Sequence, residues 1–289
     1  MTTSHKPIST RKAAESPHAP QVAKSPGRCI FCGGPGLTKE HVLPDWLKAI
    51  FPRQPTDTHT HGNAAYIDLP SVGYVPLPSR RRRQGQVGTR QVRVVCRSCN
   101  GGWLSRLEKE TKPLLTQLIH GRRFTLQPDD QRLVASWITK TCMTAEYIEP
   151  NEVSIPQSER TSISHTLEPP PHWSIWIAAY LGEKWQAGGI FHHAVGMYPP
   201  PQLIRVGIKN TQYTVIGVGR LLATAASSSI EGLTFEFQNE ESSDLRRIWP
   251  PIGRNIDWPP PRYLTDRGAD AVAANFSRFL GIEAPFVGT

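Results

Sequence analysis

The sequence predicts an α+β fold in two parts, a cysteine-containing N-terminal module and a C-terminal α+β domain with an antiparallel sheet. Two C-x-x-C pairs lie 63 residues apart, and an apolar pattern of helical spacing follows the second pair. From residue 173 onward, short apolar segments of the strand type alternate with turns. We therefore expect a disordered basic tail at residues 1–26, the cysteine module at 27–124 and the second domain at 125–289.

The elements of the first part follow from local patterns. Pro44 and the apolar residues after it predict a short helix near residues 45–51. Residues 53–90 are expected to form a long insertion of turns and short strand-like pieces, after which QVRVVC alternates as a strand does. A helix should then run to Gly121, and Pro113 should kink or divide it.

The second part begins with a helix predicted at residues 129–149, capped by Asp129 or Asp130. Strands are expected in the segments HWSIWIAAYL, GGIFHHAVGMY, LIRVGI, YTVIGVGRLLATAA and LTFEFQ. A proline-rich segment follows, and DAVAANFSRFL predicts an amphipathic C-terminal helix. The sequence of strands joined by turns favours antiparallel pairing.

The positive charge of the chain is concentrated in its first part. Residues 1–124 hold 20 basic and 7 acidic side chains, a net charge of +13, whereas residues 125–289 hold 13 and 17, a net charge of −4. A cationic surface attracts polyanions, nucleic acid first among them, although a solvated basic surface explains the charge equally well. The candidates for phosphate contacts are Arg80, Arg81, Arg82, Arg83, Arg93 and Arg97.

The cysteines give the strongest chemical signal, because four of them form the pairs Cys29/Cys32 and Cys96/Cys99. The chain has no apolar run of about 18 residues and no secretory pattern at its N-terminus, so we expect a cytoplasmic protein with no membrane partner and with reduced thiols. Four thiolates suit one tetrahedral zinc ion at about 2.3 Å. Two unrelated pairs, or a redox C-x-x-C, are the alternative. Cys142 is expected to be a small buried residue.

Two segments, KEHVLPDWL at residues 39–47 and VVCRSCNGGWLSRLE at 94–108, stand in a specific order relative to the cysteine pairs. This combination resembles the HNH (ββα-metal) endonuclease family in its variant with a structural zinc site, and the resemblance covers about residues 27–120. It implies an α+β protein in which an N-terminal zinc-stabilised ββα-metal module precedes the C-terminal domain.

The resemblance also implies roles for particular residues. His41 would be the general base, Glu40 and Asn100 would hold a catalytic Mg²⁺ or Mn²⁺, and the four cysteines would hold a separate structural Zn²⁺. An imidazole can take a proton from water near neutral pH, and hard cations prefer oxygen ligands. The sequence has Asn100 where the last His of the family stands, and Gln91 near the position of the middle Asn.

Each of these residues also has a structural interpretation. His41 could flank a helix, Glu40 could pair with an arginine, and Asn100 could cap the helix. Glu108 lies about 12 Å from Asn100 along a straight helix, too far to share one ion, and is expected to form a structural ion pair.

The predicted function is metal-dependent hydrolysis of phosphodiester bonds in nucleic acid, with DNA as the expected substrate. The alternative is a non-catalytic zinc module that binds DNA or a protein partner. In a third interpretation, the C-terminal sheet domain senses a small molecule and the zinc module is its effector. The sequence makes no prediction of the oligomeric state.

Overall fold

A computed structural model describes residues 27–52, 58–69, 73–84, 90–148, 153–196, 209–236 and 244–279, and for 58–69, 73–84 and 274–279 it describes the backbone alone. The predicted tail at 1–26 lies outside these residues. The described chain combines helices with antiparallel sheets, which confirms the α+β class. None of its helices is long and apolar enough to span a bilayer.

The N-terminal part contains two strand pairs and a helix assembled from three segments. Its elements are β1 (Leu37–His41), α1 (Leu47–Ile50), β2 (Thr58–Leu69), β3 (Gly73–Gln84), β4 (Gln91–Cys96), α2 (Arg97–Cys99), a π-helical turn (Asn100–Leu104) and α3 (Ser105–His120). The strands β1 and β4 pair antiparallel, with Leu37 opposite Cys96 and His41 opposite Gln91. The strands β2 and β3 form a separate antiparallel hairpin. In space, the paired strands β1 and β4 lead into a helix, because β4 continues directly into α2. In the chain, α1 and the β2–β3 hairpin lie between the two strands.

The C-terminal part is built on a five-stranded antiparallel sheet with the strand order β10-β6-β9-β8-β7. Its elements are β5 (Phe124–Leu126), α4 (Pro128–Ala145), a 3-10 turn (Glu146–Ile148), α5 (Gln157–Thr166), β6 (Ser174–Ala179), β7 (Gly189–Val195), β8 (Thr211–Val218), β9 (Leu221–Ser228), β10 (Arg246–Trp249), β11 (Ile256–Trp258) and α6 (Asp266–Phe279). β11 pairs with β5 outside the main sheet.

Both faces of the main sheet are covered, which explains why β6 is apolar or small at nearly every position. Ile175 and Ile177 point to the side of α4, and Trp176 and Ala178 point to the side of α6. This alternation is the two-residue period of a strand. The sheet therefore has no solvent-facing surface along β6, β8 and β9, where all residues are buried.

One hydrophobic core joins the two parts of the chain. The same cluster of buried residues contains Leu118 of α3, Trp137 of α4 and Ile177 of β6. The turn between β8 and β9 docks on the end of α3, where the Arg220 N–H donates to the Ile119 carbonyl at 2.8 Å. Gly219 in this turn has φ +57°, and a Cβ atom there would lie 2.5 Å from that carbonyl oxygen. Only glycine fits this approach without displacement.

Several predicted elements differ from the observed ones. α3 runs undivided through Pro113 and ends at Gly121, whose φ of +64° closes the helix as predicted. Residues Leu233–Glu236 of the predicted strand LTFEFQ are not in a strand, and the segment LIRVGI lies outside the described residues. Of the two predicted capping residues, Asp130 acts from the first turn of α4, where its carboxylate accepts a hydrogen bond from the N–H of the N-cap residue Gln127 at 3.1 Å.

The long insertion contains more regular structure than its sequence suggests. The two expected strand-like pieces belong to strands of 12 residues each, and the arginines at 80–83 lie on β3. In the backbone register, Arg81 faces His61 and Arg83 faces His59. Pro76 and Pro78 lie within β3, opposite Tyr66 and Ala64, although proline cannot donate a backbone hydrogen bond.

Candidate functional site

Four cysteines from three separate segments meet at one point. Cys29 and Cys32 lie in the turn before β1, Cys96 ends β4 and Cys99 ends α2. All four Sγ atoms lie within 4.8 Å of one another, and those of Cys32 and Cys96 are 3.5 Å apart. Four sulfurs around one tetrahedral zinc would be about 3.8 Å apart. The cluster can therefore hold one metal ion, as the spacing of the cysteines predicted.

The local backbone turns N–H groups toward the sulfur atoms. The Gly34 N–H donates to Cys32 Sγ and the Cys99 N–H donates to Cys96 Sγ, each at 3.4 Å. Gly33 has φ +69°, which allows its N–H to bond the Cys29 carbonyl at 2.9 Å in a tight turn. Such donors stabilise thiolates, the form in which cysteine binds metal.

The thiols have unequal acidities because they share one small volume. Burial opposes ionisation of Cys96, but the Cys99 N–H and the neighbouring thiols outweigh it and lower the pKa of Cys96 to about 7. Burial raises the pKa of Cys99 and of Cys32. Cys96 therefore ionises more readily than Cys32 and Cys99. The fifth cysteine, Cys142, is buried in α4 as expected, and burial raises its pKa to about 12.

Asn100 connects the beginning of the helix to strand β1. Its amide Nδ2 donates to Thr38 Oγ1 at 3.0 Å and to the Lys39 carbonyl at 3.2 Å. The side chain that caps α2 is that of Cys96, so Asn100 does not act as the N-cap. With both amide hydrogens directed to β1, the Oδ1 atom remains available as an acceptor or a ligand. Lys39 precedes His41 by two residues, so roughly 7 Å of strand separates this clamp from the imidazole.

His41 ends β1, and its side chain is 26% exposed. Its Nε2 lies 2.8 Å from Gln91 Nε2 and 3.1 Å from Asp45 Oδ1. The negative charge of the Asp45 carboxylate at this distance favours a proton on Nε2, which leaves the lone pair on Nδ1. The side-chain amide of Gln91 can be turned so that its oxygen faces Nε2 of His41, and in that orientation it accepts the proton on Nε2. Gln91 thus braces His41 from the position where the middle Asn was expected.

Asp45 was not singled out from the sequence, although it lies four residues after His41. A hydrogen bond from Lys48 lowers the pKa of Asp45, with a smaller lowering from the charge of His41. Asp45 is therefore an anion at neutral pH and can orient the imidazole. The only signal in the sequence was the position of Asp45, four residues after His41 and at the start of a predicted helical turn.

Glu40 lies on β1 and is only 6% exposed. Its Oε1 is 2.7 Å from Nζ of Lys140 in α4, which is 2% exposed. The structural alternative predicted an arginine as the partner of Glu40, whereas the observed partner is Lys140. The partner comes from beyond residue 124, where no local pattern in the sequence could indicate it.

Glu40, Asn100 and Glu108 all line a cleft of about 410 Å³, together with Lys109 and Lys112. His41 does not line it, but its charge reaches Glu108. Burial raises the pKa of Glu108, and the charge of Lys140 opposes this rise while that of Glu40 adds to it. In the described part of the chain no cation lies within ion-pair distance of Glu108, so the expected structural ion pair is absent.

Glu108 was predicted to lie about 12 Å from Asn100 on a straight helix, too far to share one ion. The segment between them contains the π-helical turn, and Gly102 within it has non-helical angles of φ −96° and ψ −110°. The helix is therefore not straight between the two residues, and the separation stays a prediction.

A second groove, of about 680 Å³, lies beside the cysteine cluster. Lys39, Arg93 and Arg97 line it together with Cys32 and Cys96. The Arg93 guanidinium donates to the Leu37 carbonyl at 2.9 Å, which holds it along β1. Two of the six predicted phosphate-binding arginines therefore share one surface. The side chains of the other four, at 80–83, lie outside the described residues.

Under the cluster, Trp103 packs edge to face on Phe31, with ring centroids 4.9 Å apart and an interplanar angle of 88°. Phe31 lies between the two cysteines of the first pair, so this contact attaches the first C-x-x-C turn to the helix that follows the second pair.

No family model matches the chain, and no curated protein or solved structure is significantly similar to it.

Proposed function

We propose that the protein is an endonuclease that hydrolyses phosphodiester bonds in nucleic acid, with DNA as the expected substrate and His41 as the general base. The observation that carries this proposal is the clamp from Asn100 to Thr38 and Lys39, immediately before Glu40 and His41. The amide of Asn100 and the carboxylate of Glu40 line one cleft, and His41 follows Glu40 directly on β1. These are the group types that metal-dependent phosphodiester hydrolysis needs.

In this proposal, Nδ1 of His41 accepts the proton of the attacking water. The water oxygen forms a bond to phosphorus as the bond from phosphorus to the leaving oxygen breaks. Asp45, at 3.1 Å from Nε2, stabilises the imidazolium that results, and Gln91 fixes the ring from the opposite strand. The base is partly exposed, so a phosphate on the surface can approach it.

Glu40, Glu108 and Asn100 line the cleft beside Lys109 and Lys112, and their carboxylate and amide oxygens are the ligand types that a divalent cation prefers. When bound, Mg²⁺ or Mn²⁺ would supply positive charge to the scissile phosphate and to the leaving oxygen. The work of the protein is to hold these oxygens on one wall, which the Asn100 clamp and the cysteine cluster do. A zinc ion on the four cysteines would stabilise the fold without taking part in the reaction.

The groove lined by Lys39, Arg93 and Arg97 is the proposed path of the nucleic-acid backbone. Guanidinium groups bind phosphate without reading the base sequence, so this contact should position the substrate. The hairpin that carries the four arginines at 80–83 is proposed as a second backbone contact.

The test is cleavage of supercoiled plasmid by the full-length protein with Mg²⁺ or Mn²⁺. We expect the wild type to nick the plasmid and His41→Ala to lose at least about 100-fold in rate. His165→Ala, which removes an exposed histidine of α5, is the matched control and should retain full activity. Equal nicking by the wild type and His41→Ala, or none by either in several metals, would contradict the proposal.

A second candidate is a non-catalytic zinc module that binds DNA or a protein partner. The observation that favours it is the pairing of Glu40 with Lys140, which already neutralises the proposed metal ligand. It predicts DNA binding that is unaffected by His41→Ala and plasmid that stays intact under all metal conditions. Measuring binding and cleavage on the same samples separates the two candidates.

A further inference from the structure

Lys140 is a buried charge that belongs to the C-terminal part of the chain and reaches the proposed nuclease site. It lies in α4, where it is 2% exposed, and its Nζ is 2.7 Å from Oε1 of Glu40. The two residues are 100 positions apart in sequence and are brought together by the packing of α4 on the N-terminal module. Nothing in the sequence marked Lys140 as functional.

The hydrogen bonding of this ammonium group is incomplete. It has three N–H donors, yet in the described part of the chain no acceptor meets hydrogen-bond geometry at Nζ, and the Glu40 carboxylate is its one close counter-charge. A buried ammonium is costly unless it is paired and hydrogen-bonded, and the same holds for the buried carboxylate. Each of the two charges is therefore tolerated only because the other is present.

The charges around the cleft decide how favourably it can bind a divalent cation. Glu40, Glu108, Lys109 and Lys112 line it, and Lys140 pairs with Glu40, so these five groups carry a net charge of +1 when all are ionised. The pKa of Glu108 responds to both Glu40 and Lys140. A divalent cation would change the net charge to +3, whereas without Lys140 the change would run from neutrality to +2, so binding would be more favourable.

We propose that Lys140 is the resident counter-cation of this cleft, holding the Glu40 carboxylate when no divalent cation is bound and lowering the affinity of the cleft for one. Lys140 is thus a positioning residue that the C-terminal part contributes to the site. The inference rests on the proposed function, because only there is Glu40 a metal ligand. Lys140 therefore raises the metal concentration at which the cleft becomes occupied.

The test is direct measurement of Mn²⁺ binding and of thermal unfolding on the full-length, zinc-loaded protein. Free Mn²⁺ is followed by electron paramagnetic resonance, and the zinc content is checked by elemental analysis before and after each titration. Lys140→Met removes the ammonium, Lys140→Arg retains a cation, and the double variant Glu40→Gln/Lys140→Met removes both charges.

We expect Lys140→Met to unfold at a lower temperature than the wild type without Mn²⁺, to recover with Mn²⁺, and to bind Mn²⁺ at least tenfold more tightly. Lys140→Arg should bind Mn²⁺ as weakly as the wild type, and the double variant should lose the tight binding. A lysine with a purely structural role would give the same loss of stability with and without Mn²⁺, and this result would overturn the inference.

If Lys140→Met does not fold during expression, refolding from denaturant with and without Mn²⁺ gives the same comparison. Refolding that requires Mn²⁺ supports the inference, and failure under both conditions overturns it. The outcome is distinguishable from failure of the proposed function. Tight Mn²⁺ binding by Lys140→Met together with full cleavage by His41→Ala would retain the counter-cation and reject the general base.

Discussion

The Nε2 atom of His41 lies 3.1 Å from the Oδ1 atom of Asp45, four residues later in the chain. The two side chains meet because β1 ends at His41 and the chain turns immediately into α1. Lys48 bonds the same carboxylate oxygen from the next turn, which keeps Asp45 ionised and in place. The charge of Asp45 at this distance favours a proton on Nε2 of the imidazole.

Replacing Asp45 by alanine should therefore slow plasmid cleavage by about 10- to 100-fold, while substrate affinity and zinc content stay unchanged. The loss falls on the rate constant because the imidazole loses its orientation and its counter-charge. Asp129→Ala is the matched control, since Asp129 also pairs with a basic residue three positions later but lies on the surface of α4. A rate that is the same in both variants would show that Asp45 plays no part.

The cysteine cluster predicts one zinc ion per chain, measurable by elemental analysis of the purified protein. Cys96→Ser should lose most of this zinc and unfold at a much lower temperature, because the ion joins β4 and α2 to the turn before β1. Cys142→Ser should retain the zinc, since Cys142 is buried elsewhere in α4. Equal zinc content in the two variants would rule out the four-thiolate site.

Arg97 lines the basic groove, and its removal should weaken DNA binding independently of base sequence. We expect Arg97→Ala to reduce the slope of log affinity against log salt concentration by about 1. Arg267→Ala changes an exposed arginine of α6 and should leave the slope as it is. Fluorescence anisotropy at several salt concentrations measures both, and an unchanged slope for Arg97→Ala would remove this groove from the binding surface.

Asp266 begins α6 and gives the stability of the protein a dependence on pH. Burial opposes its ionisation, but hydrogen bonds from Tyr180, Glu183 and Lys184 outweigh burial and lower its pKa. Because the pKa is lower in the folded state, the contribution to stability is present above about pH 4 and is lost as the pH falls further.

The variant Asp266→Asn should consequently have a free energy of unfolding about 1 kcal/mol lower at pH 7, and the difference should shrink toward pH 3. Urea denaturation at a series of pH values measures it. The exposed Asp129, changed to asparagine, is the reference, and a deficit in Asp266→Asn that persists undiminished at pH 3 would contradict the assignment.

The features that the sequence predicts well are those determined over short distances. The spacing of Cys29 to Cys32 and of Cys96 to Cys99 allows each pair to reach one ion, and the structure brings all four sulfurs together. Gly121 ends α3 because a left-handed residue closes a helix, which is also a local requirement. The antiparallel sheet follows from apolar segments separated by turns.

The features that it does not predict depend on contacts between distant segments or on local irregularity. The partner of Glu40 is Lys140, which approaches only because α4 packs against the N-terminal module. A π-helical turn with non-helical angles at Gly102 interrupts the helix after Asn100, and no residue pattern in NGGWL distinguishes such a turn from an ordinary helix start. The short strands β5 and β11 pair with each other across more than 120 residues, so neither stands out alone.

The glycine turn against Ile119 and the shared core around Leu118, Trp137 and Ile177 have a consequence for how the chain can be divided. Cutting the chain near residue 124 would leave two fragments, each with an exposed apolar face that promotes aggregation. The cysteine-containing part and the sheet accordingly depend on each other for solubility. A related protein that carries one without the other would need a different partner to cover that face.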